Sequence, residues 1–190
     1  MAVGYLKGEY KALGVDFDVR NDIMDEYLTV LKLALSGEEF TFEGSGYQAF
    51  GNRIEPAPVQ KPHPPFLIGG NAKRAIRRAV EHGDGWYPFF TVGGVNNATT
   101  RTAEMASMDD LRAGIAYMNA QCEVFGRETP PSVATGSLSL PGETLSPQGM
   151  IDRAGEMAEM GVVATGMNIK GRGLSEWCDN AERFGAEVIA

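Results

Sequence analysis

Pro62-His63-Pro64-Pro65-Phe66-Leu67-Ile68-Gly69-Gly70-Asn71-Ala72-Lys73-Arg74 is the stretch on which the fold turns. Its prolines cannot sit in a helix interior or a central strand, so they deliver the chain in extended form. Phe66, Leu67 and Ile68 then make a short, wholly apolar run that stops at two glycines. Residues 72–82 follow with Ala75, Ile76, Ala79 and Val80 at helical spacing. Strand, glycines, helix is one β/α unit.

Working outward, the same alternation continues downstream. Gly83-Asp84-Gly85 is a tight helix-to-strand turn into a second strand expected at 85–89, and 91–105 is a long loop rich in Gly, Asn and Thr. A helix at 108–125 carries Leu111, Ile115, Met118 and Cys122 on one stripe, and a strand follows at 133–140. Ser146-Pro147 opens a helix at 147–160, with proline in its first turn. A strand at 162–169, a loop at 170–174 and a helix at 175–189 capped by Ser175 complete the pattern.

Upstream, five prolines between 55 and 65 form an extended connector, and 39–50 alternates Phe40 and Phe42 with polar residues before Gly44-Ser45-Gly46, the pattern of a hairpin outside the main sheet. Residues 22–35 place Ile23, Tyr27, Val30, Leu31, Ala34 and Leu35 at helical steps, with Asn21 or Asp22 to cap the start and Gly37 after the end. Met1–Gly4 reads as the tail of a strand. About four β/α units in strict alternation mean a parallel sheet, either an open doubly wound one or a closed barrel.

The chemistry-bearing signal is again Gly69-Gly70-Asn71-Ala72. The first amides of a helix lack internal partners and carry roughly half a positive charge, so glycines before them let a phosphate approach. Asn71 can cap that helix or donate from its amide, and Lys73 or Arg74 can add charge. The alternative is a tight turn without a ligand, with Arg74, Arg77 and Arg78 solvated on the outer helix face. Trp86 or Tyr87, at a strand's C-terminal end, is placed to wall a flat ring. The acidic group Asp16, Asp18, Asp22, Asp25 and Glu26 reads as a solvated face without the spacing of a calcium loop.

Composition bounds the function. The 190 residues carry a formal net charge of −8, which repels nucleic-acid backbones and anionic membranes. No apolar run reaches the roughly 18 residues a membrane span needs. Cys122 and Cys178 lack metal-type spacing and read as free thiols of a reducing cytoplasm, and neither His63 nor His82 has a zinc-type partner, so no metal is expected. No Ser-His-Asp logic, P-loop or full dinucleotide fingerprint is present.

Two segments together resemble the luciferase-like monooxygenase superfamily. Residues Ala2 to Gly14, a glycine-containing strand end running into an acidic and aromatic stretch, resemble one family segment. The run Pro62 to Asn71, followed after a helix by Gly83-Asp84-Gly85-Trp86, resembles the family's central signature. The resemblance covers about residues 1–90. It implies an α/β, parallel (β/α)8 TIM-type barrel that begins at about its fourth strand, so that strands 4–8 are present. On this reading residues 1–190 form one partial barrel domain with a hairpin insertion near 39–55.

The resemblance further implies an oxidoreductase that transfers hydride at coenzyme F420 or, alternatively, FMN. Gly69, Gly70, Asn71 and Ala72 would bind the cofactor phosphate, and Gly4 and Tyr5 would lie beside the ring or its side chain. A small-molecule substrate is expected, with no nucleic acid and no membrane. The usual substrate-side residues precede Met1 in the family, so no catalytic residue is assigned, and Glu9 is the nearby carboxylate to test. A wall of strands 4–8 leaves open edges, which implies completion by another copy or another chain; without it, the expectation is a catalytically inactive relic or partner subunit that binds only the phosphate-bearing ligand.

Overall fold

Alternating apolar and polar spacing yields the elements in nearly the order expected. A computed structural model describes residues 1–91 and 102–189. Along the chain lie α1 (Lys7–Ala12), α2 (Arg20–Leu35), β1 (Phe40–Glu43), β2 (Gln48–Asn52), β3 (Leu67–Gly69), α3 (Lys73–His82), β4 (Gly85–Tyr87), α4 (Met108–Phe125), β5 (Ser132–Thr135), α5 (Pro147–Glu159), β6 (Val162–Thr165) and α6 (Leu174–Phe184), which ends in a π-helical turn at Gly185–Ile189.

β3, β4, β5 and β6 form one parallel sheet in sequential order. A doubly wound sheet reverses its order at a switch point, and no reversal occurs around Gly69, so the open-sheet reading is not met. The chain's first residue extends the same ladder: the Met1 nitrogen donates to the Leu67 carbonyl, and the Gly69 N–H donates to Met1 O at 2.7 Å. β1 and β2 form a separate antiparallel hairpin, as its alternating phenylalanines require.

Period-two alternation divides the sheet into two unlike faces. Ile68, Trp86, Val133 and Val162 are neighbours across the strands and are all buried, in a core with Ile76 and Ala79 of α3 and Leu111, Ile115 and Met118 of α4. α2 adds Met24 and Leu28 from outside α3. The opposite face leaves Leu67 40% and Tyr87 38% exposed, and Val163, the extra residue where the β5–β6 register shifts, is 71% exposed.

Several local readings change. The strands expected at 85–89, 133–140 and 162–169 each end after three or four residues; Pro88 has no N–H to continue the first, and past the other two only irregular bonds persist, the Gly166 N–H donating to Thr135 O at 3.0 Å and the Leu138 N–H to Gly166 O at 2.9 Å. The polar stretch after Met1–Gly4 winds into α1, which no apolar stripe announces. α2 starts at Arg20 behind Val19 without a side-chain cap, so neither Asn21 nor Asp22 caps it. α6 starts behind Gly173, which puts Ser175 inside the helix rather than at its cap. Ser146 does cap α5, its Oγ accepting the Gly149 N–H. Of the loop expected at 91–105, residues 92–101 lie outside the described residues; at its base the Thr91 N–H donates to Met105 O and the Met105 N–H to Thr91 Oγ1, at 2.8 and 2.9 Å.

Candidate functional site

The C-terminal edge of a parallel sheet is where strands hand over to helices, and here that edge carries Gly69 to Ala72. Gly69 and Gly70 do not spend their amides on a ligand: the Gly69 N–H is on Met1 O, and the Gly70 N–H is on Tyr87 O at 3.3 Å. Their contribution is space. Gly70 has φ +128°, which disfavours any side chain, and a Cβ there would stand 3.0 Å from the Ala75 methyl. Trp86 Nε1 donates to the Gly70 carbonyl at 2.8 Å and fixes the turn.

Asn71 takes a different role from the one its position suggests. It is buried, and its amide nitrogen donates to Phe89 O at 2.8 Å and Ala103 O at 3.1 Å, while its Oδ1 accepts the Phe89 N–H at 3.1 Å. The helix cap is Ala72, whose methyl side chain has no acceptor to offer. Among the described residues the backbone N–H groups of Asn71, Ala72, Lys73 and Arg74 therefore find no acceptor. That open cluster at a helix start, beside two glycines, fits a phosphate.

Charge is not added by the side chains expected to add it. Arg74 turns away to Asp22 and to Asp25, at 2.7 Å from the latter, and Lys73 lies over the Tyr117 ring at 5.2 Å. Arg78 is not solvated: only 2% exposed, it pairs with Asp25 and also donates to the Asn21 carbonyl and side chain. Burial pushes the Asp25 carboxyl up, but hydrogen bonds and charge from Arg78 and Arg74 outweigh it and hold the group below its ordinary range. The acidic group is thus partly structural, and its Glu26 accepts the N–H groups of Ser45 and Gly46 at 2.5 and 2.6 Å in the hairpin turn.

The structure places Gly4 and Tyr5 near this edge. Phe89 links them to Asn71: the Tyr5 and Phe89 rings lie 6.4 Å apart, and the Phe89 backbone is held by Asn71. Gly4 has φ +74°, and a Cβ there would meet the Tyr10 ring at 3.3 Å. Of the two aromatic residues offered as a ring wall, Trp86 is fully buried against α4 and unavailable. Tyr87 is on the open face, its hydroxyl 3.2 Å from where a Cβ on Gly136 would stand. Phe89 was missed because no spacing rule links it to Tyr5; only the return of the sheet does. Glu9 is exposed on α1.

The second signature segment is a fastening. The Asp84 carboxylate accepts the Phe66 N–H at 2.7 Å, and Phe66 O accepts the Asp84 N–H at 2.9 Å, so Gly83-Asp84-Gly85 ties the start of β4 to the start of β3. Gly85 has no room for a Cβ between Leu67 and Ser132. Arg127 closes the same end of α3 by donating to the carbonyls of Ala79, Val80 and Gly83. His63 stacks on Phe66 with centroids 4.1 Å apart. Among the described residues no helix is long and apolar enough to cross a membrane, and Cys122 and Cys178 are free thiols.

Comparison with known proteins gives these features a context. The chain is 32% identical over 116 residues to an FMNH(2)-dependent dimethylsulfone monooxygenase of Pseudomonas putida, a match covering 60% of this chain and 30% of that protein. It is 36% identical over 78 residues to an uncharacterized protein of Mycobacterium tuberculosis, covering 41% of this chain and 26% of the other. The chain thus spans under a third of the length of these relatives. In fold it is similar to the monooxygenase RslO1 from Streptomyces bottropensis, at TM-score 0.74 and 12% identity over 99% of this chain and 66% of that one. An F420-dependent secondary alcohol dehydrogenase in complex with an F420-acetone adduct aligns at TM-score 0.66 and 12% identity, over 98% of this chain and 68% of the other. The family profile for luciferase-like monooxygenases matches residues 1–135, and with the glycine turn, its open amides and the Asp84 fastening all inside that match, the chain belongs to the luciferase-like monooxygenase family.

Proposed function

We propose that this chain carries the phosphate-binding half of a flavin-type oxidoreductase, which uses FMN or coenzyme F420 to transfer hydride to or from a small organic substrate. The observation that carries the reading is the set of open N–H groups at Asn71, Ala72, Lys73 and Arg74, reached across Gly69 and Gly70. When bound, the cofactor supplies the redox chemistry at its ring. The chain's part is to hold and orient: helix-start amides receive phosphate oxygens, Asn71 keeps the strand end at Phe89 in place, and Gly4, Tyr5 and Tyr87 flank the ring. The FMNH(2)-dependent relative favours FMN and the F420-dependent structural neighbour favours F420.

A second reading has its own observation. Leu67 and Tyr87 are exposed on a sheet face that a (β/α)8 barrel would enclose. On this reading the chain is a wall of about strands 4–8, completed by another copy or another chain, and alone it binds the phosphate without turnover.

Fluorescence titration with FMN, F420 and riboflavin tests both readings. FMN is expected to bind at least about tenfold tighter than riboflavin, and Gly70→Ala is expected to erase that preference without changing riboflavin binding. Oxidation of alcohol or aldehyde substrates with bound cofactor supports the enzyme, and binding without oxidation supports the partial wall. Equal affinity for FMN and riboflavin, together with no binding of F420, would defeat both.

A further inference from the structure

Beyond the ends of β5 and β6 the chain runs on as two segments, and α6 with its π-helical turn lies beside them. Between them is a cavity of about 520 Å³, all of whose lining residues fall between Ser139 and Val188. It is lined by no residue of the segment matched by the family profile and by none of the residues 71–74 that carry the open amides. A volume of this size falls within the range of small-molecule sites, roughly 300–1,000 Å³.

The floor is apolar. Leu145, Met150 and Met167 are half-buried and pack on the hydrophobic core, and Ile169, Phe184 and Val188 continue the wall. Methionine adapts to irregular aliphatic shapes, so this floor suits a flexible hydrocarbon better than a rigid polar ring.

The rim is charged, and its charges are not equivalent. Glu143 is neutralised by Arg153, with which it makes two contacts at 2.9 and 3.0 Å. Lys170 has no acidic partner among the described residues. Arg183 is held through one nitrogen only, donating to Asn180 Oδ1 at 3.0 Å, while Asn180 Nδ2 donates to the Lys170 carbonyl at 2.8 Å. Asn180 thus orients the guanidinium and ties its helix to the Lys170 loop. With Glu187 counted against Lys170 and Arg183, the rim keeps a net positive charge in a molecule whose total is −8.

We propose that this cavity binds an aliphatic carboxylate, its chain on the methionine-lined floor and its head group between Lys170 and Arg183. The test is calorimetric titration of the full chain with octanoate and with octan-1-ol, which has the same tail and no charge. Octanoate is expected to bind saturably at one site and more tightly than the alcohol. Replacing both rim cations (Lys170→Gln with Arg183→Gln) is expected to weaken octanoate by about tenfold or more and leave octanol unchanged. Thr144→Trp, at the exposed mouth, is expected to weaken both ligands without loss of helical circular dichroism. Absence of saturable binding, equal binding of acid and alcohol, or indifference to both sets of substitutions overturns the proposal. FMN titration of the same variants, expected to be unchanged, separates this site from the phosphate site.

Discussion

The Arg78–Asp25 pair shows how one buried side chain can reverse the reading of a charge cluster. Asp22, Asp25 and Arg78 look like solvated residues on two helices, but α2 and α3 pack so that Arg78 is covered and must keep its partners. Arg78→Met is expected to cost about 1–3 kcal/mol in urea unfolding at neutral pH, less than a fully buried pair because the Asp25 carboxylate remains 36% exposed. The sign of the pH dependence follows from the lowered Asp25 pKa. Its contribution is complete above the ordinary value of 3.8 and is lost as pH falls through the lower folded value. The acid-induced loss of stability should therefore be smaller in Arg78→Met than in the unsubstituted chain; an unchanged acid profile would remove Asp25 from the account. At this scale the glycine turn was legible from the local order of residues, whereas the commitments of Asn71 and Arg74 were not, since their partners lie on other elements.

At the scale of elements, α4 and β4 meet through a glycine that no motif announced. A Cβ on Gly114 would stand 2.5 Å from the far edge of the Trp86 ring, which is fully buried and tied to Gly70. Gly114→Ala is expected to destabilise the fold by about 1–3 kcal/mol through overpacking, measured by thermal or denaturant unfolding. Adding Trp86→Phe should recover part of that loss, because the two residues share one contact. The boundaries of α4 were readable to the residue: its stripe of Leu111, Ile115, Met118 and Cys122 is the buried one, and Ser107 with Asp110 forms a reciprocal capping box at its start. Strand ends were less readable, because apolar character continues past the last regular ladder position while the regular strands end at Tyr87, Thr135 and Thr165.

For the whole molecule, the two faces of the sheet set the behaviour in solution. One is closed by helices, the other presents Leu67 of β3 and Tyr87 of β4, and the edge strand β6 exposes Val163 at its bulge. Exposed apolar surface next to an unpaired strand edge favours association. In sedimentation velocity the chain is expected to self-associate, and Val163→Lys should shift it toward monomer; a monomer at every concentration would count against completion by a second copy. Sequence alone determined the β/α alternation, the hairpin, the helix stripes and the glycine turn, because these rest on local spacing and backbone freedom. Tertiary structure decided the sequential strand order, the open face, the partners of Asn71 and Arg78 and the cavity under α6. Those depend on which distant segments meet, and a hydrogen bond or an ion pair across fifty residues leaves no period in the chain.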